Sequence, residues 1–373
     1  MTMLEKAFRS KRVLVTGHTG FKGSWLCEWL LRLGAEVTGY SLPPPTTPSL
    51  FNQLQLGSRL AHIEGNVCDL PALKESLERV RPDFIFHLAA QSLVRPSYAM
   101  PAETFATNVM GTVNVLESLR AATFDCDVVI ATTDKCYENG GAPHAFEETE
   151  RLGGRDPYSA SKACAELAAA AYRQSFFGPD SHIGVATARA GNVLGGGDWA
   201  VDRIVPDCVR ALAAGQPVVV RNPRSTRPWQ HVLECLSGYL TLAAHLSAAR
   251  SESDLLHRNA LRSSFNFGPS TTSELAVGSL VEKVLSHWPG RWIDGSDPTQ
   301  PHESHCLQLS AEKARQLLGW QPVWNLDETI SHTIRWYRHI PADDAAGDAA
   351  DTTRQQIDDY TSAARAAGLD WAA

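Results

Sequence analysis

The chain has 373 residues, 43% hydrophobic and 20% charged, a composition typical of a globular protein with one large domain and an attached lobe, or with two domains. A net charge of −7 argues against a nucleic-acid-binding surface. We find no secretion signal at the N-terminus and no apolar run near the roughly 18 residues that cross a bilayer. We therefore expect a cytoplasmic protein with no membrane partner.

The eight cysteines and 13 histidines do not have the spacing of a metal site. The cysteines form no Cys-x-x-Cys pair, and most lie among apolar residues, as buried thiols do in a reducing compartment. We therefore expect free thiols and no bound metal.

Residues 12–190 alternate short, β-branched runs with amphipathic segments. The runs are nearly continuous in apolar character, which fits parallel strands covered on both faces. They lie at 12–16, 36–40, 83–90, 127–133 and 182–190, and the helical patterns between them include 21–33, 71–80, 104–122 and 157–175. The alternation predicts an α/β fold with a Rossmann-like, doubly wound parallel sheet.

The alternation ends near residue 191, after which the chain is mixed and rich in tryptophan. We assign residues 1–190, with returning segments near 231–268, to the sheet domain. Residues 191–230 and 269–340 are expected to form a smaller C-terminal lobe. The stretch 341–373 begins acidic, rich in alanine and poor in bulky apolar residues, so we expect a partly flexible tail.

The sequence VTGHTGFKG joins the first strand to the first helix, with glycines at positions 17, 20 and 23. Such glycines permit a tight turn and a close approach to a diphosphate at the helix N-terminus, which predicts a dinucleotide-binding loop. The second strand ends GYSLPPPTT, with neither the acid typical of NAD sites nor an arginine typical of NADP sites. Asn66 and Val67 follow the third strand, where an adenine ring would lie, while Asp69 suits a cofactor contact and a helix cap equally.

Two further groups of residues carry chemistry. DPYSASKACAEL places Tyr158 and Lys162 on one face of a helix, and an ammonium beside a phenol lowers its pKa, so that it can take a proton from a hydroxyl. The strand at 127–133 runs directly into Asp134 and Lys135. Charges beside a buried strand are costly unless they lie at its open carboxyl end, where sites form in such sheets.

These motifs resemble the extended short-chain dehydrogenase/reductase family of NAD-dependent epimerases and dehydratases. The glycine loop, HLAA at 87–90, TNVMGT at 107–112 and the pair Tyr158 and Lys162 carry the likeness, which reaches to about residue 340. Longer stretches around GHTGFKG, TTDKCYEN, RAGNVLGGGDW and RPWQHVL resemble the 4,6-dehydratases that act on CDP-glucose. The resemblance implies the cofactor NAD, a C-terminal lobe that binds CDP-D-glucose, and a 4-dehydro-6-deoxy product for deoxysugar, O-antigen or lipopolysaccharide biosynthesis.

The resemblance also implies roles in catalysis. Tyr158, supported by Lys162, takes the proton of the sugar 4-hydroxyl, Thr133 binds the C4 oxygen, and Asp134 protonates the departing 6-hydroxyl. Relatives that act on other nucleotide sugars have glutamate at the position of Lys135. We favour a neutral Lys135 as the base that removes the C5 proton; the alternative is a charged Lys135 that stabilises the enolate.

Binding residues are implied in the same way. The expected cofactor contacts are Gly17, Thr19, Gly20, Phe21, Lys22, Gly23, Tyr40, Asn66, Val67, Leu88, Ala89, Ala90, Asn108, Tyr158 and Lys162. The expected substrate contacts are Gln91, Asn192, Arg203, Arg221, Arg227, Glu303 and His305. Relatives dimerise through the helices near 104–122 and 157–175, which here are apolar on more than one side, so we expect a homodimer or a dimer of dimers.

Two other functions stay open. One is a 4,6-dehydratase or 4-epimerase for another nucleotide sugar, although an epimerase has no need of Asp134. The other is a non-catalytic protein that senses its cofactor, which has no need of Tyr158, Lys162 and Asp134 together.

Overall fold

The computed structural model describes residues 1–141, 144–269, 274–297, 308–340 and 347–373. Its strands are β1 Arg12–Thr16, β2 Glu36–Ser41, β3 Ala61–Glu64, β4 Phe84–His87, β5 Cys126–Ala131, β6 Ala145–Phe146, β7 Ile183–Ala190, β8 Asn192–Leu194, β9 Val218–Val220, β10 Thr226–His231, β11 Ser264–Phe267, β12 Glu274–Ala276, β13 Trp292–Asp294 and β14 Gln308–Leu309. Seven of them form one sheet in the order β11-β7-β5-β4-β1-β2-β3, and every pairing in it is parallel. The predicted doubly wound sheet is confirmed.

The helices cover both faces of this sheet. They are α1 Met3–Phe8, α2 Phe21–Arg32, α3 Leu50–Gln53, α4 Leu70–Val80, α5 Val94–Ala99, α6 Pro101–Phe105, α7 Gly111–Leu119, α8 Pro157–Ser175, α9 Ile204–Ala213, α10 Val232–Ala248, α11 Leu255–Leu261, α12 Val277–His287, α13 Glu312–Leu318, α14 Leu326–His339 and α15 Asp348–Ala366. The segment predicted as one helix at 104–122 is α6 and α7 joined by a π-helical turn at Ala106–Met110. Short 3-10 helices lie at Leu56–Ser58, Asp134–Cys136, Ala249–Ser251 and Asp370–Ala372.

Alternation along the strands divides the apolar residues between two cores. Val13 and Val15 of β1 face the core formed with α2 and α10, whereas Leu14 faces the core formed with α4, α7 and α8. Burial on both faces explains why the strands are almost continuously apolar in sequence. Three small sheets, β12-β10-β8, β13-β9 and β14-β6, lie outside the main sheet.

Helix α10 runs through the core against α2, β5 and β7. Together with the turn that follows it, Val232–Ser251 is the one helix among the described residues that is long and apolar enough to cross a membrane, and 83% of its apolar window is buried. Glu234 and other polar residues interrupt the apolar run in the sequence. Its burial identifies a core helix.

The chain end is a packed helix in residues 347–373, where the sequence analysis expected a partly flexible tail. Ile357, Tyr360 and Trp371 are almost completely buried, and the Trp371 ring lies 6.1 Å from the ring of Trp29 on α2. Helix α15 buries only one side, and the rest of it is polar and exposed, which gives the segment its low apolar content.

In the part of the chain that the structure describes, the seven cysteines are free and no group of three or more His, Cys, Asp or Glu side chains is placed to hold a metal.

Candidate active site

The carboxyl ends of β1, β2 and β4 lie at one edge of the sheet, since Thr16 pairs with both Tyr40 and His87. A cleft of about 840 Å3 opens at this edge. Its first wall is the glycine loop and the residues that follow β4 and β5. Its opposite wall comes from residues 190–207 and 219–229.

The glycine loop is built for a close approach of backbone atoms. Gly17 has φ of +73°, and a Cβ there would lie 2.7 Å from the backbone of Ala89. A Cβ on Gly23 would lie 2.3 Å from the carbonyl oxygen of Gly17. Helix α2 begins after Gly20 with no side-chain cap, so its first N–H groups face the cleft, ready for an anion. These features fit the diphosphate of a dinucleotide.

Most of the predicted cofactor contacts line the cleft, but two lie behind its wall. Tyr40 is 1% exposed, and its hydroxyl donates to the carbonyl of Asn66 at 3.2 Å. Asn108 is also 1% exposed, and it donates to Gln91 at 3.0 Å and to Ser161 at 2.8 Å. Both hold segments that line the cleft. The other predicted cofactor contacts that line it are Gly17, Thr19, Gly20, Phe21, Lys22, Gly23, Asn66, Val67, Leu88, Ala89, Ala90, Tyr158 and Lys162.

A chain of polar side chains occupies the end of β2, where the sequence offered no acid. The Ser41 hydroxyl lies 3.1 Å from Nδ1 of His18 and 2.9 Å from the Thr19 hydroxyl, and Nε2 of His18 lies 2.7 Å from His62. Ser41 lines the cleft and was missed because the sequence analysis sought only an acid or an arginine there. Asp69 accepts from the N–H of Ala72 at 3.1 Å and is the helix cap.

Helix α8 positions Tyr158 and Lys162 in the cleft. It starts at an N-cap, Asp156, that accepts from the N–H of Ser159 at 2.9 Å, and Pro157 follows in the first turn. The Tyr158 hydroxyl is hydrogen-bonded to Thr133, and Nζ of Lys162 donates to the carbonyl of Ala131 at 3.0 Å. The predicted helix therefore brings the phenol and the amine to the end of β5.

The electrostatics of this pair differ from the sequence argument. Burial raises the pKa of Tyr158 to about 12, and the hydrogen bond from Thr133 only partly opposes the rise. Burial and the neighbouring Lys22 lower the pKa of Lys162 to about 8. The Lys162 amine is directed at the Ala131 carbonyl, and its expected support of the Tyr158 phenolate stays a prediction.

Asp134 and Lys135 occupy the 3-10 turn after β5. Oδ1 of Asp134 accepts from Thr133 at 3.0 Å and lies 3.4 Å from Nζ of Lys135, which is also 3.4 Å from Oδ1 of Asn192. Lys135 lines the cleft, whereas Asp134 is completely buried beside it. Oδ2 of Asp134 has no hydrogen-bond partner among the described residues, and a Cβ on Gly191 would lie 3.1 Å from it.

The opposite wall carries the predicted arginines. Arg203 lies 3.7 Å from Asp198, and Arg221 lies 3.6 Å from Asp207. Arg227 is 6% exposed and donates to the carbonyl of Thr226 at 2.8 Å. Gln91, Asn192, Arg203, Arg221 and Arg227 all line the cleft.

Two predicted substrate contacts, Glu303 and His305, lie outside the described residues. Arg95 of α5, which the sequence analysis did not select, also lines the cleft and lies 3.9 Å from Asp202 of the other wall. No motif in the sequence distinguishes it from a surface arginine.

A doubly wound sheet, a glycine loop at the first helix and a Tyr158–Lys162 pair at the end of β5 define the extended short-chain dehydrogenase/reductase class. A sequence model of the GDP-mannose 4,6-dehydratase family matches residues 14–333, so the chain belongs to this family.

The curated relatives are dehydratases. The chain is 44% identical over 369 residues to CDP-glucose 4,6-dehydratase of Salmonella typhimurium, covering 97% of this chain and 99% of that protein. It is 26% identical over 336 residues to a probable dTDP-glucose 4,6-dehydratase of Sinorhizobium fredii, covering 87% and 92%.

Solved structures share the fold. The epimerase Mth375 of Methanothermobacter thermautotrophicus aligns with a TM-score of 0.74 at 23% identity, covering 90% of this chain and 94% of that one. The dTDP-glucose 4,6-dehydratase of Bacillus anthracis in complex with NAD aligns with a TM-score of 0.70 at 20% identity, covering 88% and 97%.

Proposed function

We propose that the protein is an NAD-dependent hydro-lyase that converts CDP-D-glucose to CDP-4-dehydro-6-deoxy-D-glucose. The observation that carries the proposal is the adjacency of Thr133, Asp134 and Lys135 to Tyr158 at one end of the cleft, because an alcohol oxidation needs only the tyrosine, whereas loss of water needs a further acid and base. The 44% identity to the Salmonella CDP-glucose enzyme supports the choice of reaction and of nucleotide.

The residues that would hold NAD are those of the first wall. Backbone N–H groups at the start of α2 would bind its diphosphate, Asn66 and Val67 would hold its adenine, and Tyr158 and Lys162 would hold its nicotinamide end; all of them line the cleft. When bound, NAD supplies the reversible hydride acceptor that oxidation at C4 and reduction at C6 require.

Tyr158, supported by Lys162, removes the proton of the sugar 4-hydroxyl. Thr133 has one hydroxyl proton, and it turns that proton from Asp134 or Tyr158 to the C4 oxygen. Because burial opposes the phenolate, the Thr133 hydrogen bond and the charge of Arg203 are the contacts that favour it. The resulting 4-ketone makes the C5 hydrogen acidic.

Lys135 and Asp134 carry out the elimination as a coupled pair. Neutral Lys135 removes the proton from C5. The Asp134 carboxyl, which is buried beside the cleft, turns toward it and gives a proton to the departing 6-hydroxyl, which leaves as water. Lys135, 3.4 Å from Asp134, then returns a proton to C5 as C6 is reduced, and it can exchange that proton with solvent beforehand. Asp134 regains its proton from solvent as Tyr158 releases the one taken from the 4-hydroxyl, so the site returns to its starting state. In the alternative, a charged Lys135 stabilises the enolate.

Asn192, Arg203, Arg221 and Arg227 face the substrate from the opposite wall, where guanidinium groups suit a diphosphate. Aspartates orient these two arginines: Asp198 pairs with Arg203, and Asp202 and Asp207 pair with Arg221.

We further propose a cytoplasmic homodimer that supplies deoxysugar biosynthesis, such as that of O-antigen. Apolar side chains exposed on and beside α6, the π turn and α8 support the dimer, because a second copy would cover them. They are Met100, Phe105, Met110, Leu167 and Phe176, with Leu167 57% exposed.

The test is turnover of CDP-glucose with NAD+ in deuterium oxide. We expect a 4-keto product with deuterium at C5, and no product from Tyr158→Phe. A wild-type protein that binds NAD+ and leaves CDP-glucose unchanged contradicts the proposal.

A further inference from the structure

Glu166 is a buried carboxylate that the proposed reaction does not use. It lies on α8 one turn after Lys162 and two turns after Tyr158, and it is 1% exposed and absent from the cleft lining. Residues at this spacing share one helix face, so Glu166 extends the row of catalytic side chains into the protein interior.

The carboxylate of Glu166 binds three neighbouring strands at once. It accepts hydrogen bonds from Thr132, which directly follows β5, from Thr187 of β7 at 2.7 Å and from Ser264 of β11 at 3.0 Å. Arg189 of β7 donates to it at 2.8 Å. Burial opposes ionisation of Glu166, but Arg189 and the hydroxyls outweigh it, so the pKa of Glu166 lies below its usual value.

Arg189 extends the network to the chain that follows the catalytic turn. It donates to the hydroxyl of Tyr137 at 2.7 Å and to the carbonyl of Glu148 at 3.1 Å, and the Tyr137 hydroxyl donates to Asn266 at 2.7 Å. The segment with Thr133, Asp134 and Lys135 is thus held on both sides, at Thr132 and at Tyr137.

We propose that Glu166 is a positioning residue of this site, which fixes Thr133 against Tyr158 through Thr132 and places a carboxylate one helical turn from Lys162. The role deepens the proposed function and rests on it for its catalytic consequence.

The groups around Lys162 give the electrostatic half of this inference. Lys22 faces it from α2, His87 from β4 and Cys136 from the 3-10 turn, and Glu166 lies on its own helix. Burial and Lys22 lower the pKa of Lys162, while Glu166 and Cys136 oppose the lowering. Since the Cys136 thiol is buried and its pKa is raised well above its usual value, Glu166 supplies the negative charge at neutral pH.

The test compares Glu166→Gln/Arg189→Met with a matched double variant. Removing both partners avoids leaving a buried Arg189 unpaired, which costs several kcal/mol. Because the carboxylate no longer favours the ammonium, we expect the alkaline limb of kcat to move down by about one pH unit. We expect kcat at pH 8 to fall roughly fivefold with KM within about twofold of the wild type. Glu166→Asp keeps the negative charge, so kcat should fall at the same alkaline pH as in the wild type.

The matched control is Asp127→Asn/Arg250→Met, which removes another buried ion pair of β5, whose atoms lie 2.8 Å apart. This pair lies at the amino end of the strand, so its removal should lower the melting temperature and leave the pH profile unchanged. A folded Glu166 double variant with the wild-type kcat and pH profile overturns the inference. If the double variant does not fold, Glu166→Asp decides: a displaced alkaline limb overturns it.

A second readout needs no turnover. Acylation of Lys162 by acetic anhydride, followed by peptide mass spectrometry across pH, reports where the amine loses its proton. We expect a midpoint near 8 in the wild type, where the pKa is lowered to about 8, and a lower midpoint in the Glu166 double variant. Equal midpoints overturn the inference. A wild type that acts on no nucleotide sugar overturns the proposed function alone, since the acylation result still stands.

Discussion

Nζ of Lys135 lies 3.4 Å from Oδ1 of Asp134, so the base and the acid proposed for the elimination are in contact. The contact allows a neutral amine beside a protonated carboxyl, which the favoured mechanism requires, and an ion pair, which the alternative requires. Substitution of each residue distinguishes the two mechanisms.

Lys135→Met is expected to lower kcat by about 10²–10⁴-fold, because it removes the C5 base while conserving most of the side-chain volume. Lys135→Glu restores a base and should retain both turnover and deuterium incorporation at C5. Product formation and C5 exchange are measured by mass spectrometry. Full activity in Lys135→Met contradicts the base role.

Asp134→Asn removes the proton donor for the 6-hydroxyl and should lower kcat by about 10²–10⁴-fold. Exchange at C5 of the bound sugar should continue, because Lys135 is intact. Glu138→Gln is the control, since its side chain is 55% exposed in the same segment. Turnover at the wild-type rate in Asp134→Asn would assign the protonation to another group.

Glu234 of α10 should make stability depend on pH. It is buried and accepts from the N–H of Trp324 at 2.7 Å and from the hydroxyl of Tyr360 at 2.7 Å, and burial raises its pKa from 4.5 to about 7. The folded state therefore binds more protons than the unfolded state between these values, and stability falls as pH rises from 4.5 to 7.

Glu234→Gln removes this pH dependence. The shift of the pKa from 4.5 to about 7 corresponds to a total change of roughly 3 kcal/mol in the free energy of unfolding. The glutamine amide also lowers the stability by an amount that does not depend on pH, because its NH2 group can face an N–H donor. The quantity to compare is therefore the change in stability between two pH values. Urea unfolding at pH 5 and pH 8 should show that the free energy of unfolding of the variant, relative to that of the wild type, is higher at pH 8 than at pH 5. Glu282→Gln, at an exposed position of α12, is the control, and a parallel shift at both pH values would be evidence against the assignment.

The C-terminal segment 347–373 should stabilise α2, the helix that follows the glycine loop. Trp371 is 2% exposed and lies against Trp29 and Tyr360. Trp371→Ala is expected to cost about 3–5 kcal/mol, because it leaves a cavity between α2 and α15. Chemical denaturation measures the loss, with Leu256→Ala as an exposed control. A loss below about 1 kcal/mol would contradict the packing role.

Leu167→Glu should convert the proposed dimer to a monomer, because it places a charge in the centre of the exposed apolar face of α8. Leu256→Glu is the control, since Leu256 is 82% exposed on α11, which packs against α10. Light scattering after gel filtration measures the mass. A wild-type monomer, or a dimer that survives Leu167→Glu, contradicts the proposed interface.

The sequence predicted those features that depend only on the spacing of residues within one short segment. The glycines at 17, 20 and 23 predicted the loop, and Tyr158 and Lys162 predicted one helix face, because period and steric limits alone determine both. The direction of the Lys162 amine depends on the Ala131 carbonyl at the end of a strand, and the pKa of Tyr158 is raised by burial, so both require the tertiary structure.

Two other features needed tertiary information. A charge that follows a strand can face the cleft or the interior, and the 3-10 turn decides that Asp134 is buried while Lys135 lines the cleft. The helix Asp348–Ala366 buries few residues among many polar ones, so its composition resembled that of a flexible segment.

The most direct test is incubation of the purified protein and NAD+ with CDP-glucose, dTDP-glucose, UDP-glucose and GDP-mannose in separate reactions. The 4-keto product is followed by its ultraviolet absorbance in alkali. We expect turnover of CDP-glucose alone. Turnover of one of the other three alone would retain the mechanism and contradict the substrate. No product from any of them, with NAD+ bound, would contradict the assignment of Asp134 and Lys135 to a dehydration.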